Sequence, residues 1–136
     1  MNNIKNFIMA LGNDFTFMGN QYRLIVEGEE SFIDLLFFNR RLRSLVAIEL
    51  KAGKFLPEYA GKMNYYLSAL DVYVRMPDEN PSIGIILCRS MSEKKVEFAF
   101  RDMTKPMGVA IYRSTQELPE QYQQILPSAE ELKKLL

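Results

Sequence analysis

The sequence predicts an α/β domain, a mixed sheet flanked by helices, and three observations lead there. Strand-like and helix-like segments follow in the order helix, three strands, helix, strand, helix, strand, helix. The second and third strands are separated by only a few residues, so they form a hairpin. The fourth is apolar on both faces, as a strand in the middle of a covered sheet must be. At 136 residues and 48% hydrophobic content, the chain is read as a single domain over 1–136.

Each element has a local reason. Ile4, Phe7, Ile8 and Leu11 recur at helical spacing over 3–11, and Gly12-Asn13-Asp14 ends that helix. Tyr22, Leu24 and Val26 alternate in a strand over 21–27, which Gly28 breaks. Residues 31–38 form the second strand and 45–51 the third, with Arg40 and Arg41 in the connection. Pro57 opens a helix that runs to about residue 75, its stripe Met63, Leu67, Leu70 and Val74. After a loop over 77–81, residues 82–88 form the fourth strand. Residues 92–102 fit two patterns. Val96, Phe98 and Phe100 alternate, but Val96, Ala99, Phe100 and Met103 share a helix face that Ser92 would cap, and helix is preferred. A fifth strand spans 108–113, and Ser128 with Glu131 caps a last helix over 129–136.

Composition removes whole classes of chemistry. The chain has no histidine, which excludes a Ser-His-Asp triad, a Cys-His dyad and a His-ligated zinc. Its one cysteine, Cys88, lies in an apolar strand and reads as inert core. A single cysteine suits a reducing compartment, so a cytoplasmic location is expected. No apolar run approaches the roughly 20 residues of a spanning helix, and no membrane partner is expected. Lysine plus arginine and aspartate plus glutamate both number 17. The balance is uneven, however. Residues 40–62 hold Arg40, Arg41, Arg43, Lys51, Lys54 and Lys62 against Glu49 and Glu58, the one local excess of positive charge. A solvated hairpin tip explains that excess unless chemistry sits beside it.

Three residues do not belong where they stand. Asp34 interrupts Phe32-Ile33-Asp34-Leu35-Leu36-Phe37-Phe38, and Glu49 and Lys51 follow Leu45-Val46-Ala47-Ile48. A carboxylate in such a strand is costly without a partner. Glu49 and Lys51 point to the same face. With Arg41-Leu42 as the turn, Asp34 falls opposite Glu49, and the three side chains converge. Opposed carboxylates repel. A divalent cation resolves the conflict, and oxygen-only ligands suit Mg²⁺ or Mn²⁺. Lys51 would then orient water or stabilise phosphoryl charge. The other solution is a cluster in which Lys51 satisfies both carboxylates.

These residues resemble the signature of the PD-(D/E)xK nuclease superfamily, Asp34 followed by Glu49-Leu50-Lys51. Phe32 to Phe37, Ile48 to Gly53, Pro57 to Gly61 and Asn80 to Gly84 resemble the nuclease domain of the YhcG-like bacterial proteins, over about residues 6–125. The resemblance implies a restriction-endonuclease-like core, α-β-β-β-α-β. It implies a Mg²⁺-dependent (or Mn²⁺-dependent) deoxyribonuclease that hydrolyses phosphodiester bonds in defence, restriction or repair. Asp34, Glu49 and the Leu50 carbonyl would hold the metal, and Lys51 would position the attacking water. Lys62 and Tyr66 stand where many members carry a glutamine and a tyrosine, and with Arg40, Arg41 and Lys54 they would contact DNA. Lys62 pairing with Glu58 on the helix surface is the alternative. The glutamate that relatives often carry on the first helix is replaced by Ala10, or its part falls to Glu27, Glu29 or Glu30. The resemblance implies a separate N-terminal domain in relatives; it is expected to be absent here, the chain being either a stand-alone nuclease domain or a fragment of a longer protein, and a homodimer is allowed. The alternative function is a DNA-binding or assembly module that keeps the fold and cleaves poorly.

Overall fold

Two consecutive hairpins and two helical crossovers build one five-stranded sheet in the computed structural model, which describes residues 14–112. The elements are β1 (Phe15–Val26), β2 (Glu29–Asn39), β3 (Ser44–Leu50), α1 (Glu58–Tyr73), β4 (Ile83–Cys88), α2 (Glu93–Phe100) and β5 (Met107–Ile111). Strands lie in chain order across the sheet. The first three pair antiparallel, and β3, β4 and β5 pair parallel. The sheet is therefore mixed, as the sequence predicts. The helices expected over 3–11 and 129–136 lie outside the described residues.

The β1–β2 turn is Glu27-Gly28, both with positive φ (52° and 81°), the geometry that matches strand twist in a two-residue hairpin. β1 begins six residues earlier than the expected start at Gln21. Gly19-Asn20 looks like punctuation in sequence, but the strand passes through it by a register shift between Phe17 and Gly19. The β2–β3 register is the one expected: Leu35 pairs with Ile48, Phe37 with Val46 and Asn39 with Ser44. Asn39 fixes this turn by accepting the Leu42 N–H at 2.9 Å.

Pro57, at φ −54°, already holds helical geometry at the start of α1. The helix buries Ala60, Met63, Tyr66, Leu67, Ala69 and Leu70. These pack on Leu24, Leu36, Leu45, Ala47 and Ile86, and the opposite face of the sheet carries Leu35, Val46, Ile48, Ile85 and Leu87. The ambiguous stretch is helix, with Ser92 Oγ accepting the Lys95 N–H at 3.4 Å. Val96, Ala99, Phe100 and Met103 pack on the core while Phe98 stays exposed. Parallel β4 and β5 need a crossover, which a strand here could not supply. Asp71 anchors the end of α1: it accepts Ser82 N–H (3.0 Å) and Oγ–H (2.8 Å) and meets Lys105 at 3.4 Å.

Gly84 sets how closely α1 approaches the sheet. A Cβ there would lie 2.6 Å from Met63 Cγ and 3.2 Å from Leu67 Cδ1. Both side chains are fully buried. Gly84→Ala is expected to destabilise the fold by about 1–3 kcal/mol through overpacking, measured by urea unfolding.

Candidate active site

The β2–β3 ladder stops one step before Asp34 and Glu49. Its last pair is Leu35 and Ile48. Continued, the register would set Asp34 against Glu49, and there side chains replace the ladder. The Asp34 N–H donates to Glu49 Oε2 at 2.8 Å, and the Leu50 N–H donates to Asp34 Oδ2 at 2.8 Å. The other neighbour of β2 breaks at the same level. Asn20 pairs with Leu35 and Tyr22 with Ile33, but Gln21 between them sits at φ +48°. Its side-chain amide donates to Asp34 Oδ1 at 3.2 Å. The alternation of β2 changes phase here too. Ile33 and Leu36 both join the helix-facing core, whereas Leu35 joins the other. One irregularity thus turns the Asp34 carboxylate towards Glu49.

Glu49 is 5% exposed. Burial, and then repulsion from Asp34, push its carboxyl up to about 7. Lys51 draws it down only weakly. The Lys51 ammonium rests 4.5 Å from the Tyr59 ring centroid, and no salt bridge joins it to either carboxylate. The ion-paired cluster that sequence left open is therefore not the arrangement found. Tyr66 projects from α1 into the same region. Burial raises its phenol, and the charges of Glu49 and Asp34 raise it further. Lys62 lies 5.7 Å from the Tyr66 ring centroid, and it makes no ion pair with Glu58. Cys88 is fully buried and its thiol is pushed up to about 12, consistent with inert core.

Not every candidate converges. Lys54, exposed, bridges to Ser90 just beyond β3, at the carboxylate end of the sheet. Arg40 and Arg41 occupy the opposite end of the β2–β3 hairpin, roughly 20 Å from Asp34 at strand rise. Both hold Asp14, at 3.3 Å and 2.9 Å. Arg43 holds Asp78 at 3.0 Å. Glu27, Glu29 and Glu30 crowd the exposed β1–β2 turn, and Glu30 meets Arg23 at 2.6 Å. Ala10 lies outside the described residues. Gln21 is the site residue that sequence reasoning missed. Its signal, a polar residue on the β1 position opposite Asp34, becomes visible only once the β1–β2 register is known.

A family model for the YhcG PDDEXK nuclease domain matches residues 1–127. The chain belongs to that family. Over 121 residues it is 37% identical to the Escherichia coli (strain K12) protein named "Putative nuclease YhcG". That match takes in 89% of this chain and 32% of the relative, so the chain spans about a third of the relative's length. Two solved structures share the fold at low identity. A repair endonuclease from Pyrococcus abyssi is 15% identical, with TM-score 0.53 over 77% of this chain and 40% of that one. The EndoMS–dsDNA2 complex is 12% identical, with TM-score 0.51 over 82% of this chain and 44% of that one. The YhcG-family domain thus has a restriction-endonuclease-like fold. None of its described helices is long and apolar enough to cross a membrane.

The donor set fits a hard divalent cation. Among the described residues no three His, Cys, Asp or Glu side chains cluster. Mg²⁺ needs fewer, since one or two carboxylates with water and substrate oxygens suffice. Asp34 and Glu49 supply two in mutual repulsion. A residue's N–H and C=O face the same edge of a strand. The Leu50 N–H faces Asp34, so its carbonyl turns to that side as well.

The raised Glu49 carboxyl predicts a pH dependence of stability. Its folded value, about 7, exceeds the unfolded value of 4.5. The folded state therefore binds the extra proton, and stability falls as pH rises from 4.5 to 7, by roughly 3 kcal/mol at most. Unfolding in EDTA between pH 4.5 and 8 should show this slope, and Glu49→Gln should flatten it.

Proposed function

We propose that this YhcG-family domain is a metal-dependent deoxyribonuclease that hydrolyses phosphodiester bonds, in DNA defence, restriction or repair. One observation carries the reading: two carboxylates opposed at the end of the β2–β3 ladder, with Lys51 two residues on and ion-paired to neither. A purely structural domain gains nothing from that repulsion. Asp34, Glu49 and the Leu50 carbonyl would hold Mg²⁺ or Mn²⁺, which supplies Lewis-acid polarisation of a phosphoryl oxygen. The hydrogen bonds from Leu50 N–H and Gln21 fix the Asp34 carboxylate, and that from Asp34 N–H fixes Glu49. Preorganisation of this kind avoids reorganisation during the reaction.

Lys51 holds the remaining role. Its ammonium is parked on the Tyr59 ring rather than neutralised, so it is available to orient the attacking water and to stabilise charge developing on the phosphate. Tyr66 is buried beside the carboxylates on the α1 side, and Lys62, near its ring, offers a phosphate contact. Lys54 extends that positive edge. Arg40 and Arg41 form a distal contact: two guanidiniums on one carboxylate leave net positive charge roughly six base pairs away along a duplex. The charge is local, in keeping with a net charge of zero for the whole chain. The EndoMS neighbour was solved with double-stranded DNA. That supports a duplex substrate here.

The test compares wild type with Lys51→Ala on plasmid, branched and single-stranded DNA in Mn²⁺. Wild type should cut at least one substrate, and Lys51→Ala should lose about 10²–10³-fold in rate. Asp34→Asn should abolish Mn²⁺ binding by calorimetry while the protein stays folded. Metal and DNA binding without cleavage by wild type would instead identify a binding module.

A further inference from the structure

We propose that Gln21 is a positioning residue, held in a left-handed conformation so that its amide locks the Asp34 carboxylate in the orientation that receives the cation. The inference rests on the metal-dependent reading above and adds a residue from β1 to it.

Three observations converge. First, Gln21 is one of three non-glycine residues with positive φ among the described residues; the others, Glu27 and Arg43, lie in hairpin turns. Gln21 alone lies inside a strand. Residues other than glycine, asparagine and aspartate rarely adopt this region, and where they do the surroundings hold them there. Second, the strain coincides with a gap in the β1–β2 register directly opposite Asp34, between the pairs Asn20–Leu35 and Tyr22–Ile33. An ordinary strand residue at this position would complete the ladder. Third, the turned side chain is used: its Nε2 donates to Asp34 Oδ1 at 3.2 Å, while the Leu50 N–H holds Oδ2 at 2.8 Å. The carboxylate is gripped on both oxygens, from β1 and from β3. Gln21 is exposed, and its bond to Asp34 Oδ1 lies at the surface. A neutral amide suits the place. It fixes Asp34 without the competing positive charge that a lysine or arginine would bring to a cation site.

The Leu50 amide reports the state of Asp34 without any metal, because its proton is bonded to that carboxylate. Amide hydrogen exchange is measured by NMR on the full chain in EDTA, for wild type and Gln21→Gly. Glycine accepts φ +48° without strain, and its greater unfolded-state freedom opposes that gain, so Tm should move little. Leu50 exchange should quicken about fivefold or more, while Ile48 and Leu35, inside the intact ladder, keep their protection. Mn²⁺ titrated calorimetrically should bind Gln21→Gly about tenfold more weakly. Unchanged Leu50 exchange would overturn the inference, as would faster exchange with unaltered Mn²⁺ affinity. Uniform loss of protection across the ladder would also overturn it, since that marks a merely structural role. Failure of wild type to bind Mn²⁺ would refute the metal-dependent reading separately, and the exchange result would still decide whether Gln21 positions Asp34.

Discussion

The arrangement depends on a conflict between two carboxylates where a β-ladder ends. Asp34 and Glu49 lie at the next step of a register that Leu35 to Asn39 and Ser44 to Ile48 already fix. Regular pairing would place like charges face to face in a largely buried setting. The chain instead ends the ladder and lets each carboxylate accept a backbone N–H from the strand opposite. Those bonds satisfy the two donors that lost their ladder partners. They do not remove the repulsion, which adds to burial in raising the Glu49 carboxyl.

The surrounding structure holds that conflict in place. The hairpin pinned by Asn39 sets the register from one end. The parallel pairing of β3 with β4 sets it from the other side, with Glu49 beside Ile86 and Leu50 beside Leu87. Above the sheet, α1 packs closely because Gly84 has no side chain, which brings Tyr66 and Tyr59 down over the carboxylates and Lys51. A helix set higher would leave the site wetter and the carboxylates less perturbed. Fold stability and site chemistry therefore share residues, and the irregular parts of β1 and β2 mark where regularity was given up for the site.

Positive charge follows a similar division. The stretch 40–62 is the one basic segment, yet its members go to two places. Lys51, Lys54 and Lys62 gather at the carboxylate end and have no carboxylate partner among the described residues. Arg40, Arg41 and Arg43 stand at the hairpin tip and engage Asp14 and Asp78. The hairpin makes this split, because β3 carries Lys51 away from the tip that holds Arg40 and Arg41.

Sequence by itself determined the order of the described elements, the mixed sheet, the β2–β3 register and the facing of Asp34 and Glu49. Each rests on a local rule: the two-residue period of strands, the turn length, the misfit of a charge in an apolar run. The phrases around Asp34, Glu49-Leu50-Lys51, Pro57 and Asn80 carried the resemblance to the family. Only the tertiary structure decided that β1 runs back to Phe15, that Lys51 sits on Tyr59, and that Gln21 reaches Asp34. These outcomes turn on partners distant in the chain. A bulge shows only against its neighbouring strand, and a long side chain rests wherever packing leaves a ring or a carboxylate within reach.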